Sequence, residues 1–331
     1  MRKWNGSTLR FVPLALLLTT LVACGDDNGN GGDGGGPPPA ANNVAFGRID
    51  GFGSIFVNGI EFETSGASFS KDGTSSGIDE SDLREGMMVT LRCSVNDDGV
   101  TGTASSVDYR DNLEGPISSI DLGASSFVVL GQTVVVDGST LFDNGLNLAM
   151  LAVGDIVEVS GQLNADLNIQ ATFIEKKDET CATIEEIEVK GTVSNLNAEA
   201  QTFTLGLLTV NYSGADLEDL PQGGLADGLF VEVKSNACPV DSTLVATKVE
   251  AEDEFGEFGD DDDGREVEIQ GYVMGPVVNN EFALGSQLVR ITDQTQYEGL
   301  TADQIVPGVR LEVEGTIDAG VLVARKVQLE D

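Results

Sequence analysis

The sequence predicts an all-β chain: four tandem copies of one small five-stranded barrel, preceded by an export signal and a tether. Three observations lead there. The same glycine and apolar landmarks recur in the same order four times beyond residue 44. Apolar and polar residues alternate in short runs, the period of half-buried strands. Glycine-bearing turns separate these runs at close spacing, as in small all-β domains.

Residues 1–23 have the three zones of an export signal. Arg2, Lys3 and Arg10 make a basic start, and Phe11 to Thr20 is mostly apolar. Leu21-Val22-Ala23-Cys24 closes the segment with small residues before a cysteine. A transmembrane helix would need about 20 apolar residues, more than Phe11 to Ala23 provides. The tetrapeptide resembles the lipobox of bacterial lipoproteins, and this resemblance implies that Cys24 is acylated and becomes the first residue of the mature chain. Gly25 follows where an aspartate would favour inner-membrane retention, so an outer-membrane address is expected. Residues 24–43 are rich in Gly, Asn and Asp and end in a proline run at Pro37-Pro38-Pro39. Such a segment buries nothing and acts as a spacer with a reach of about 25 Å.

The first repeat landmark is an apolar-x-Gly-x-apolar strand: Ala45-Phe46-Gly47-Arg48-Ile49, Leu113 to Ile117, Val189 to Val193 and Ile269 to Val273. Its apolar pair and glycine share one face, and the intervening, mostly polar residues lie on the other, as a half-buried strand requires. The second is a phenylalanine followed closely by glycine, at Phe56–Gly59, Phe127–Gly131, Phe203–Gly206 and Phe282–Gly285. The phenylalanine is expected to plug the core, and the glycine to turn into a third strand.

The third landmark reads Leu/Ile-x-x-Gly-x-x-Val/Leu, at Leu83–Val89, Leu151–Val157, Leu225–Val231 and Ile305–Leu311. A short helical turn ended by a left-handed glycine cap fits this spacing. A fourth alternating strand follows, then a fifth marked by Ala104 with Val107, Ala171 with Ile174, Ala246 with Val249 and Ala324 with Val327. Gly47–Gly86 and Gly115–Gly154 are 39 residues apart, and Gly191–Gly228 and Gly271–Gly308 are 37 apart. Five strands with a helical element between the third and fourth match the order of an OB-type barrel.

These landmarks also resemble the bacterial family called domain of unknown function 5666, found as tandem copies in secreted lipoproteins. The resemblance spans residues 44–331 apart from linkers; it implies a small β-barrel and brings no substrate. The repeats are placed at 44–110, 111–178, 187–251 and 267–331, with an acidic linker at 252–266. Units of this size are marginal alone. A compact front pair, repeats one and two, and a looser rear are therefore expected.

The chain carries a net charge of −37 and contains no histidine. Nucleic-acid binding depends on Lys and Arg neutralising phosphates, so this balance disfavours it. The absence of histidine excludes Ser-His-Asp and Cys-His catalysis and His-containing zinc sites. Carboxylates are too numerous for any pair to stand out as an acid/base couple. No cofactor is expected.

Cys93, Cys181 and Cys238 remain once Cys24 is lipidated. Cys93 alternates with Val89 and Leu91, as a buried apolar thiol would. Cys181 precedes the first strand of repeat three and Cys238 follows its fourth; those strands pair antiparallel in an OB-type barrel. A Cys181–Cys238 bridge is expected, with three thiols or a Cys181–Cys93 bridge as alternatives. The bridge would contribute about 4 kcal/mol by loop entropy.

Asn96-Asp97-Asp98-Gly99 reads as a hairpin turn before it reads as a calcium loop. Asp261 and Asp263 ahead of Gly264 partly match a calcium loop, but Gln270 stands where a bidentate glutamate belongs. Phe52, Phe62, Tyr212 and Tyr297 offer sugar-stacking planes or, more simply, packing. The sequence thus points to a non-enzymatic, lipid-anchored envelope protein whose repeats serve as spacer and interaction modules. Its expected partners are the membrane through the lipid, an envelope protein or divalent cations, and not nucleic acid. The rival readings are a cation- or carbohydrate-binding surface lipoprotein and a carboxylate-only hydrolase.

Overall fold

The computed structural model describes residues 43–73, 77–252 and 264–330. Cys24, the signal, the tether, Asp261 and Asp263 lie outside these residues.

Repeat one contains β1 (Asn43–Gly51), β2 (Ile55–Val57), β3 (Ile60–Glu63), β4 (Ser68–Lys71), β5 (Met88–Val95) and β6 (Thr101–Arg110). Repeat two contains β7 (Leu113–Asp121), β8 (Ser126–Val129), β9 (Gln132–Val135), β10 (Leu141–Phe142), β11 (Ile156–Leu163) and β12 (Ile169–Lys176). Repeat three contains β13 (Ile187–Asn197), β14 (Thr202–Leu205), β15 (Leu208–Asn211), β16 (Asp216–Glu218) and β17 (Phe230–Ser235). Its fifth strand is split into β18 (Thr243–Val245) and β19 (Lys248–Ala251). Repeat four contains β20 (Glu266–Tyr272), β21 (Glu281–Leu284), β22 (Gln287–Arg290), β23 (Gln296–Glu298), β24 (Arg310–Asp318) and β25 (Val321–Leu329). The chain is all-β; no α-helix occurs among the described residues.

Within repeat one the pairing runs β1–β2–β3–β6–β5 and returns to β1, with β3 and β6 parallel. Core positions follow the alternation: Ala45, Ile49, Phe62, Val89, Leu91 and Val107 are all buried. The second landmark is shifted here, because Phe62 fills the core while Phe56 is only half-buried. In the other repeats Phe127, Phe203 and Phe282 take that place, as expected.

Four separate barrels were expected, and the structure corrects this. The repeats merge edges into two continuous sheets and stack on one another. β1 pairs in parallel with β20, so repeats one and four share a sheet of twelve strands. β7 pairs antiparallel with β13, so repeats two and three share one of thirteen. The front pair does pack, since Phe173 of repeat two joins the core of repeat one, but the partner of repeat one across the sheet is repeat four. Apolar contact follows the pairing, since Val44, Phe46 and Met88 of repeat one join the core of repeat four.

The third landmark is corrected in detail. Short 3-10 turns occur at Glu80–Asp82, Leu148–Met150 and Ala302–Gln304, but their C-caps are Leu83, Leu151 and Ile305 in extended conformation. The conserved-spacing glycine sits three residues further on, at φ +96° in Gly86 and +88° to +93° in its counterparts. It forms the tight turn into the fourth strand, a conformation open to glycine at no steric cost.

Candidate functional site at the charged joints between repeats

Strands one, four and five of each repeat turn their polar face outward from that repeat's own core. Solvent was the expected neighbour of that face. Stacking buries it instead: Glu158, Glu188, Lys190 and Glu232 are each at most 7% exposed.

In the joint between repeats two and three, register places glutamates side by side. Glu158 lies opposite Glu175 on one side and Glu114 on the other, and Glu114 lies opposite Glu188. Like charges directly across strands repel. Four lysines offset this. Lys71, at the end of β4 in repeat one, reaches Asp111 at 3.1 Å, Glu158 at 3.0 Å and Glu114 at 3.8 Å. Lys190 meets Asp72, the Asp111 carbonyl at 2.9 Å, Glu188 at 3.1 Å and Glu232 at 3.6 Å. Lys177 joins Glu158 and Glu175, and Lys234 joins Glu188 and Glu232. The Tyr109 hydroxyl donates to Glu158 at 2.6 Å. Repeat one is thereby fastened to both of its neighbours; Arg110 adds ion pairs to Asp108 at 2.9 Å and Glu252 at 3.1 Å.

Burial opposes ionisation of Glu158, yet Lys71 and Lys177 outweigh it and bring its carboxyl to about 2. Burial likewise opposes ionisation of Glu188, where Lys190 prevails and holds it low. The outcome reverses where neighbouring carboxylates reinforce burial. Glu114 rises to about 8 through burial and Glu158, and Glu232 to about 8 through burial and Glu188. The joint thus holds ionised and protonated carboxyls side by side, which is how seven acids coexist with four ammonium groups.

Three carboxylate groups have oxygens within 4.8 Å of one another, the first condition for holding a metal. Asp72, Asp111 and Glu188 already surround Lys190, and Asp111, Glu114 and Glu158 surround Lys71. These two are ion-pair cages whose cation is a lysine of the chain. In the third, Glu250 and Glu252 pair outward to Lys248 and Arg110, while Glu232 faces Lys190 and Lys234.

The joint between repeats one and four uses equivalent positions with different residues. Counted from the landmark glycines, Glu188, Lys190, Glu232 and Lys234 correspond to Glu268, Gln270, Glu312 and Glu314. Register confirms the equivalence: Glu188–Lys234 and Lys190–Glu232 become Glu268–Glu314 and Gln270–Glu312. Both lysines are gone. Glu314 pairs with Arg325 at 2.5 Å and Lys326 at 3.0 Å from β25. Glu312 accepts from the Gln270 amide at 3.2 Å. A cleft of about 400 Å³ separates these residues from Asp50, Asn58 and Val100 of repeat one.

The sites expected from sequence are dispersed. Cys181 and Cys238 form a disulfide, Cα to Cα 5.5 Å, and Cys93 is buried as a thiol. The Asn96–Gly99 segment is a turn whose Asp98 carboxylate accepts from Val100, Thr101 and the Thr101 hydroxyl. Phe62 is core; Tyr212 packs on Phe203 and Tyr297 on the core of repeat four, while Phe52 is exposed. None of the lysine-cage residues was singled out by sequence reasoning. Their signal was available as charged residues at fixed offsets from the landmark glycines.

Among the described residues no helix is long and apolar enough to cross a membrane. The sequence matches the family model described as Domain of unknown function (DUF5666) four times, at residues 47–108, 114–175, 190–250 and 270–328. No curated protein matches. Among solved structures, one described as "drosophila Unr CSD456" is 14% identical, covering 66% of this chain and 97% of that one. Its TM-score of 0.16 carries no argument.

Proposed function

We propose, for a chain that belongs to the domain of unknown function 5666 family, a non-enzymatic role as a lipid-anchored scaffold of the bacterial envelope. Each repeat is read as an OB-like barrel that lends an edge to its neighbour, following the pairing circuit of repeat one. The observation that supports a scaffold is the return of repeat four to repeat one through β1 and β20. Four small units so joined behave as one body, with their most charged faces spent on one another. Such a body suits holding a partner at a set distance from a membrane.

The anchor is Cys24, with the outer membrane as the address. Labelled palmitate incorporation and detergent partitioning test it: both are expected in the native chain and lost in Cys24→Ser. A Cys24→Ser protein that remains fully membrane-bound would overturn the anchor.

A second reading, diffuse cation binding, is supported by the net charge of −37. A diffuse response, equal for calcium and magnesium, is expected in calorimetry. One tight, calcium-selective event that vanishes with Asp261→Asn and Asp263→Asn would place a specific site in the acidic linker instead.

A further inference from the structure

We propose that the joint between the first and last repeats is a pH-operated latch, closed while Glu268 and Glu312 are protonated and loosened as they ionise. The argument begins with the substitution pattern. Repeat three balances its two buried glutamates with Lys190 and Lys234; repeat four places Gln270 and Glu314 at those positions. Among the described residues no ammonium or guanidinium comes within ion-pair distance of Glu268 or Glu312.

The surroundings of the two carboxyls are accounted for on every side. Across the strands of its own repeat, Glu268 faces Glu314. β25 contributes Arg325, paired with Glu314, and Lys326, which pairs with Glu314 and Glu298 and from beyond ion-pair distance still favours the charged forms of Glu268 and Glu312. Glu330 lies beyond Glu312 and adds further negative charge. Arg310 donates to the Gln270 side-chain Oε1 at 3.0 Å, and Glu266 accepts from the Thr316 hydroxyl. From repeat two, the Gln162 amide donates to the backbone of Gln270. Repeat one contributes Asp50 and Asn58, whose side chain hydrogen-bonds Glu268 and favours its ionised form, and β1 places Ala45 opposite Glu268. Among the described residues no lysine or arginine of repeat one lies within ion-pair distance of either carboxyl.

Burial is reinforced by Glu312 and then Glu314 at Glu268, and by Glu330 at Glu312. It outweighs Lys326 and the hydrogen bonds from Asn58 and Gln270 and raises both carboxyls, Glu312 to about 7 and Glu268 well above the ordinary range. A raised carboxyl favours the closed joint only in its neutral form. Closure is fully supported below the ordinary carboxylate range and is lost as pH rises towards about 7 and beyond. Opening the joint rehydrates both groups and frees β20 from β1.

The test is amide exchange of the full chain at pH 5 and pH 8, corrected for intrinsic rates. Segments 43–51 and 266–272 report this joint, and segments 113–121 and 187–197 report the other. Protection in the first pair is expected to fall roughly tenfold or more from pH 5 to pH 8, since each unit of displacement is a tenfold change in equilibrium. In the other joint Glu114 and Glu232, raised to about 8, begin to ionise only at the upper pH. Glu268→Gln with Glu312→Gln should retain protection at pH 8. Gln270→Lys with Glu314→Lys, which restores the repeat-three pattern, should do the same. The proposal fails if the first pair is unchanged between the two pH values. It also fails if the glutamine variant loses as much as the native chain.

Discussion

The two joints are built from the same strands at the same offsets, and they are held by different means. Between repeats two and three, buried carboxylates are tied by Lys71, Lys177, Lys190 and Lys234. Between repeats one and four, the equivalent lysine positions are Gln270 and Glu314, and the carboxyls rely on protons. In the first joint even the raised Glu114 and Glu232 have a lysine within ion-pair distance; among the described residues Glu268 and Glu312 of the second have none. The difference shows how a repeat can keep its fold and change its joint through two side chains on its outer face.

The largest expected effect comes from removing the cage lysine. Lys190→Met leaves Asp72, Glu188 and Glu232 facing one another without their common cation, and should cost about 3–5 kcal/mol. Denaturant unfolding would measure it. A loss below about 1 kcal/mol would erase the contrast between the joints, since an exposed pair contributes that much.

Next comes the disulfide, because it staples the segments flanking β13 and β17, which carry those lysines. Cys181→Ser with Cys238→Ser should lower stability by about 2–4 kcal/mol. Amide exchange in β13 and β17 should rise before exchange in β20 and β24. The reverse order would show that the staple serves the other joint.

A smaller effect separates two equivalent glycines. A Cβ on Gly47 would fall 1.9 Å from Asn58 Oδ1, whereas one on Gly191 would have its nearest neighbour at 3.6 Å. Asn58 donates to the Phe46 carbonyl beside the protonated joint. Gly47→Ala should therefore cost about 1–3 kcal/mol through overpacking. Gly191→Ala should shift the thermal midpoint little. Equal effects would mean that Asn58 moves freely and does not support the joint.

Much of the strand pattern was legible because alternation and glycine spacing are local properties. Ala45, Ile49, Val89 and Leu91 declare a core face by period alone. The positions of Cys181 and Cys238 followed from which strands pair within a repeat. Partner choice between repeats was not legible. Nothing in the sequence around Val44 announces pairing with Val267, because edge pairing is made by backbone groups common to every strand. The charged faces misled for the same reason: Glu188 and Lys190 look like solvent-facing residues until a neighbouring repeat covers them. Only by aligning the repeats on their glycines does Lys190 separate from Gln270 and reveal that one outer face is balanced and the other is not.

The pairing of β1 with β20 also has a consequence for synthesis. Val44 and Val267 are about 220 residues apart, so this contact has one of the longest loops the chain can close. At about 5–20 residues per second, β1 waits on the order of ten to forty seconds for its partner to be made. Through that interval its edge presents unpaired amides, and Val44, Phe46 and Met88 lack the core they finally join. The nascent chain is therefore most exposed to aggregation at its own beginning, and release from that hazard comes only when the last repeat is complete.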